Sequence, residues 1–210
     1  MTPSPNGRRL RPLGGAQPTA PSRAWILLLA PLLVAACGDG DEIAAGTFDL
    51  PACEPDPTLS FVPLPERDPP PGVTSGAVPH FQLDAIPNEV VIAELHERVF
   101  AIAEVEARES LLVGNATAIW IRPEINVGRP QCIVAGREVA HIHQDGSIHG
   151  VLPLGRIDEA ESAGWGERHP WSGLQPGFEG FVLLFTPRSS DEVDVILDLV
   201  REGLEFVRGP

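Results

Sequence analysis

One turn constrains the folded part of this chain more than any other feature. It lies in EVAHIHQDGSIHGVLPL, Glu138 to Leu154, where Asp145-Gly146 is flanked by alternating residues. An Asp-Gly pair between two such runs forces an antiparallel hairpin. In a three-residue loop the last position takes the left-handed region, where glycine is favoured. With Gln144-Asp145-Gly146 as that loop, His143 faces Ser147, Ile142 faces Ile148 and His141 faces His149. Side chains alternate along a strand, so His141, His143, Ser147 and His149 share one face and the two isoleucines share the other. A two-residue Asp-Gly loop sends His149 to the opposite face instead, so the register decides whether a site exists. The three-residue register is preferred because it sorts polar from apolar residues.

Two histidines at i and i+2, with a third across the ladder, can supply three imidazoles to one zinc, iron or copper ion and leave a coordination position open. His141, His143 and His149 are therefore the candidate ligands, and a transition metal is the candidate cofactor. Asp145 at the loop tip is either a further donor or a turn stabiliser. The alternative is a solvated sheet face whose histidines bond water or meet a protein partner. His169, in ERHPWSG, is a candidate fourth ligand or an acid/base group. His96, mid-helix, and His80, beside a proline-rich stretch, are given no role.

Around the hairpin the patterning is mixed. Pro87-Asn88-Glu89 opens a segment with apolar residues at Val91, Leu95, Val99, Ile102 and Val105, which predicts an amphipathic helix running through Ala107. Short β-rich runs follow at 118–122, 131–134, 138–143 and 147–152. A short helix is predicted over 155–163 and a buried strand over 180–187. Ser189 followed by Glu192 makes a capping box, and Val193, Ile196, Leu197, Val200, Leu204 and Val207 form one stripe of a final helix. This order predicts an α+β domain over residues 80–210, an antiparallel sheet with helices on one face. There is no internal repeat.

The N-terminal 36 residues read as an address. A basic, Pro/Gly-rich start leads into AWILLLAPLLVAA, Ala24 to Ala36, which is shorter than the roughly 20 residues that span a bilayer. The run ends in Val34-Ala35-Ala36-Cys37, which resembles the bacterial lipobox. That resemblance implies cleavage before Cys37, diacylation of Cys37 and anchoring of the chain to a membrane, since two or more acyl chains hold stably where one does not. Gly38 at the next position is not the aspartate of inner-membrane retention, so the outer membrane is the expected destination where two membranes exist. The competing reading is an ordinary signal peptide with a chance cysteine. Residues 37–79 carry nine prolines from Pro51 onward and read as a disordered spacer that supplies no regular secondary structure.

Composition closes off several functions. All fifteen basic residues are arginine and tyrosine is absent, which excludes lysine Schiff-base chemistry and tyrosine acids. Without the four arginines that precede Cys37, eleven remain against 29 acids, a net charge of −18. Such a field repels nucleic acid, so no nucleic-acid partner is expected. With Cys37 lipidated, Cys53 and Cys132 remain. In an oxidising compartment they either pair or stay as two thiols with Cys132 in a strand.

HIHQDGSIH, then AESAGWGERHP, then GFVLLFTPRSSDEVDVILDLV resemble, in that order, the bacterial and fungal luciferase-like domain family. The matching positions are His141, His143, Asp145, Gly146, Ser147, His149, Gly164, Trp165, His169, Pro170, Pro187 and Arg188. Members often have a histidine and a proline beside the turn, where this chain has Gln144. The resemblance implies one domain over roughly 86–207 but transfers no mechanism. There is no dinucleotide fingerprint, P-loop or nucleophile elbow. Two functions thus stand at this level: an envelope lipoprotein whose histidine face binds a metal or small ligand, with oxidase or hydrolase chemistry, or a non-catalytic envelope scaffold that uses that face for a protein partner.

Overall fold

The computed structural model describes residues 52–68 and 72–209. The predicted signal segment and Cys37 lie outside the described residues. The chain builds α1 (Glu89–Phe100), β1 (Val105–Glu109), β2 (Thr117–Ile121), a 3-10 turn (Pro130–Cys132), β3 (Glu138–Ile142), β4 (Ile148–Val151), α2 (Leu154–Ser162), β5 (Gly166–Arg168), β6 (Phe181–Leu184) and α3 (Ser190–Arg208). The six strands form one antiparallel sheet in the order β1-β2-β3-β4-β6-β5. This is an α+β domain.

α3 is the fold's principal cover. Ser189 accepts the Glu192 N–H at its N-cap, and the helix buries Val193, Ile196, Leu197, Val200, Leu204 and Val207, together with Leu199 and Phe206. It lies over β3 and β4 on the face that carries Ile142 and Ile148, with α1 beside it. Gly203 allows that approach, because a Cβ there would stand 2.1 Å from the Val151 carbonyl oxygen. α1 begins as expected, with the Asn88 side chain accepting from Val90 and Val91 N–H groups.

Two predicted elements change. The first helix was expected to run through Ala107 but stops at Phe100, and Val105–Glu109 pairs with β2 instead, Val105 opposite Ile121. Helical and strand placements both bury Val105; pairing also satisfies the backbone of the sheet edge, and Arg108 lies 4.8 Å over the Trp120 ring. The predicted strand at 131–134 starts as the 3-10 turn, with Pro130 in its first turn and Cys132 facing the core. Proline sets φ for a turn and offers no donor to a ladder.

The proline-rich stretch does lack helix and named strands, but its described part is not a spacer. Cys53 is bonded to Cys132. Leu64 N–H donates to Glu159 at 2.7 Å, and the Trp165 indole donates to the Pro65 carbonyl at 2.6 Å. Arg67 is buried beneath the segment, where it donates to Glu192 and to the Thr186 carbonyl, both at 2.6 Å, and sits 5.2 Å over Trp165. Packing therefore extends back to Cys53, well before Pro79. Prolines removed the ladder hydrogen bonds, but side-chain and carbonyl contacts to α2, α3 and Trp165 replace them.

Candidate metal centre

The hairpin takes the three-residue register. His141 pairs with His149 and Ile142 with Ile148, while His143 N–H donates to the Ser147 carbonyl and Gly146 N–H to the His143 carbonyl. Gly146 holds φ at +87°, the left-handed value the loop requires. Asp145 accepts from the Ser147 N–H (2.9 Å) and hydroxyl (2.7 Å), so it braces the turn. His141, His143 and His149 share a face, their ring centroids 4.8 to 5.4 Å apart.

That face is covered rather than solvated. His141, His143 and His149 are 1%, 9% and 4% exposed. Together with residues 78–81, the 112–114 loop, His169 and the rings of Trp171, Phe178 and Phe181, they line a half-open cavity of about 380 Å³. A second cavity of about 300 Å³ adjoins it, sharing His143, Phe81, Val113 and Gly114. The solvated sheet face weighed above is therefore corrected: these histidines look into a pocket.

Hydrogen bonding fixes which nitrogen of each ring is free. Glu138, buried on the same strand, accepts from His141 Nδ1 at 2.8 Å, from the Ser110 hydroxyl at 2.6 Å and from the Leu111 N–H at 2.7 Å. Burial pushes the Glu138 pKa up, but these bonds outweigh it and hold it below its ordinary value. An ionised Glu138 has no proton to give, so His141 Nδ1 is the donor, and in the neutral ring Nε2 keeps its lone pair. His143 Nδ1 lies 2.9 Å from Ser147 Oγ, whose own proton goes to Asp145, so His143 also keeps its Nε2 lone pair. Both Nε2 atoms are buried and neither has a hydrogen-bond partner.

His80 joins the cluster from the segment that covers the face. Its Nε2 lies 3.3 Å from Glu167, which Thr74 also bonds at 2.8 Å, and its Nδ1 lies 3.2 Å from His149 Nε2. With Glu167 taking the Nε2 proton, His80 Nδ1 accepts from His149 Nε2–H, leaving His149 Nδ1 with the lone pair. Burial drives the His149 pKa far below its ordinary value, and the surrounding imidazoles push it further down. Burial, and then His141, lower His143 to about 4; burial, and then His80, lower His169 to about 4; burial lowers His80 although Glu167 opposes it. These four rings are neutral at pH 7, the form that ligates a metal.

One nitrogen from each of His141, His143 and His149 lies within 4.8 Å of the other two, and the same holds for His80, His149 and His169. The two groups differ in chemistry. His169 Nδ1 already accepts the Trp171 N–H at 3.2 Å, so its lone pair is spent, whereas each ring of the hairpin group retains one. His96 stands apart in α1 beside Phe100. Sequence reasoning missed His80 and Glu138. Glu138 had a signal, since a carboxylate heading a strand buried throughout needs a partner.

Residues 136–203, from just before β3 into α3, match the family model described as the Luciferase domain. That span includes His141, His143, His149 and His169 but not His80. A luciferase of Armillaria mellea is 27% identical over 166 residues, 69% of this chain and 61% of the relative. One from Neonothopanus nambi is 28% identical over 158 residues, covering 65% and 58%. The chain thus spans about three fifths of the length of these relatives. No solved structure matches it.

Proposed function

We propose, starting from a chain that carries a domain of the Luciferase family, that His141, His143 and His149 hold one first-row transition-metal ion beside a pocket for a small, largely apolar molecule. One observation carries this reading: two buried Nε2 lone pairs, on His141 and His143, have no partner while their Nδ1 atoms are bound to Glu138 and Ser147. An oriented imidazole whose far nitrogen donates to a carboxylate or hydroxyl is the usual outer arrangement of a histidine metal ligand. An unpaired buried lone pair otherwise costs about 1–3 kcal/mol.

A metal so held supplies Lewis-acid or redox chemistry at an open position. The chain's own contribution is to orient three imidazole donors, line the pocket with Trp171, Phe178 and Phe181, and fix the His149 tautomer through His80 and Glu167. Of oxidation and hydrolysis, the relatives' name favours oxidation. Tag-free protein dialysed against zinc, cobalt, iron and copper in turn is expected to retain one ion per chain of at least one metal by elemental analysis. His141→Ala and His143→Ala should each retain none. Protein that stays metal-free and is unmoved by chelator overturns the reading.

The location belongs to the same proposal. The chain is an exported lipoprotein, anchored by acylated Cys37 and bound for the outer membrane in a two-membrane cell. The Cys53–Cys132 bridge supports export, since such bonds persist in oxidising compartments. No helix among the described residues is long and apolar enough to cross a membrane. Fatty-acid labelling of wild type but not of Cys37→Ser is the expected result; unlabelled, soluble wild type would refute it.

A further inference from the structure

Five histidines meet in the cavity, and His169 is the one whose lone pair is already used. Its backbone is fixed at both ends, the N–H to the Phe181 carbonyl (2.9 Å) and the carbonyl to the Ser172 N–H (2.8 Å). Its Nδ1 accepts from Trp171 N–H at 3.2 Å. A neutral imidazole carries one proton, so here the proton is on Nε2, at the opposite edge of the ring. No described residue accepts that N–H within hydrogen-bond distance. The residue is 6% exposed, and Trp171, Phe178 and Phe181 surround its ring at centroid distances of 5.6, 5.2 and 5.3 Å. His169 is on the wall of the cavity, so an acceptor for this N–H can come from the cavity's contents.

We propose that His169 is a hydrogen-bond donor to the pocket's ligand, through Nε2–H to an uncharged oxygen such as a carbonyl on an otherwise apolar molecule, and that it is not a metal ligand. The aromatic wall calls for an apolar body. The chain's net charge of −14 disfavours an anion. This assignment rests on the reading of the cavity as a small-molecule site, but it does not depend on the metal. Discrimination follows from the same geometry. An analogue that lacks the oxygen leaves the Nε2–H without that acceptor, which is how a built polar contact rejects a near-isostere.

The test uses the full chain labelled with ¹⁵N-histidine. Long-range ¹H–¹⁵N correlation is expected to show the Nε2–H tautomer for His169. Cyclohexanone, titrated in, should shift that resonance and bind about tenfold more tightly than methylenecyclohexane, its near-isostere without the oxygen. His169→Phe, which keeps an aromatic ring in place, should erase the preference while metal content stays at the wild-type level. His169→Gln, which retains an N–H donor, should keep part of the preference and covers the case in which the phenylalanine variant does not fold. An Nδ1–H tautomer, absence of binding by either compound, equal binding by wild type, or a preference that survives in His169→Phe overturns the proposal. So does loss of metal in His169→Phe comparable to that in His141→Ala. If wild type holds no metal yet shows the tautomer and the ketone preference, only the metal reading fails.

Discussion

Breaking the Cys53–Cys132 bridge should cost this domain a large part of its stability. The bond closes a loop across a sequence separation of 79. The chain-entropy relation then gives about 15 cal/mol/K of lost unfolded-state freedom, or about 4.5 kcal/mol at 25 °C. For a domain of this size each kcal/mol moves the melting temperature by about 2–4 °C, so Cys53→Ala/Cys132→Ala should melt about 10–15 °C lower. The bridge works with Arg67, Leu64 and Trp165, which seat the following residues against α2 and α3. Paired urea titrations of the oxidised wild type and the double variant, with circular dichroism as the probe, read the free-energy difference directly. A loss below about 1 kcal/mol would show that the bridge does not restrain the unfolded chain to this extent. It would mean that the segment is held without the bond, or that the unfolded chain is already restricted there.

Other outcomes follow from the hairpin and its surroundings. Ile142→Ala, on the helix-covered face, should lower stability by about 2–5 kcal/mol, with metal binding per folded molecule intact by calorimetry. Glu138→Gln should weaken metal affinity by about 10- to 100-fold, because His141 loses a charged acceptor that fixes its tautomer. Glu192 is held at about 2: burial opposes ionisation, but bonds from Arg67 and Arg188 prevail. Its folded pKa is depressed, so its contribution is complete above the unfolded value near 4.5 and is lost as pH falls through about 2. That contribution is about 1–3 kcal/mol after discounting for its solvent-facing edge. Acid titration of Glu192→Gln should show a correspondingly flatter stability curve between pH 4.5 and 2.

The parts of the fold legible in the sequence are those fixed by short-range rules. Gly146 sets the loop and the loop sets the register, so the common face of His141, His143 and His149 could be read from nine residues. α3 announced itself through Ser189, Glu192 and an unbroken apolar stripe. β1 was hidden because Ile102 and Val105 continue the helical spacing of α1, and only the β2 partner shows that Val105 belongs to a strand. His80 was hidden more deeply. It lies in a proline-rich stretch without periodicity, and long-range packing alone brings it to His149. The proline-rich segment misled for a related reason: absence of regular structure was read as absence of packing, although Cys53 and Arg67 are both buried.

Everything proposed for the site turns on three hairpin imidazoles converging on one ion. X-ray absorption at the metal edge of tag-free, metal-loaded protein tests it most directly, because multiple scattering from imidazole rings counts histidine ligands. The expected spectrum has three histidines about 2.0–2.1 Å from the metal for zinc, falling to two in His143→Ala. A spectrum with oxygen ligands and no imidazole, or one unchanged by that substitution, would contradict it.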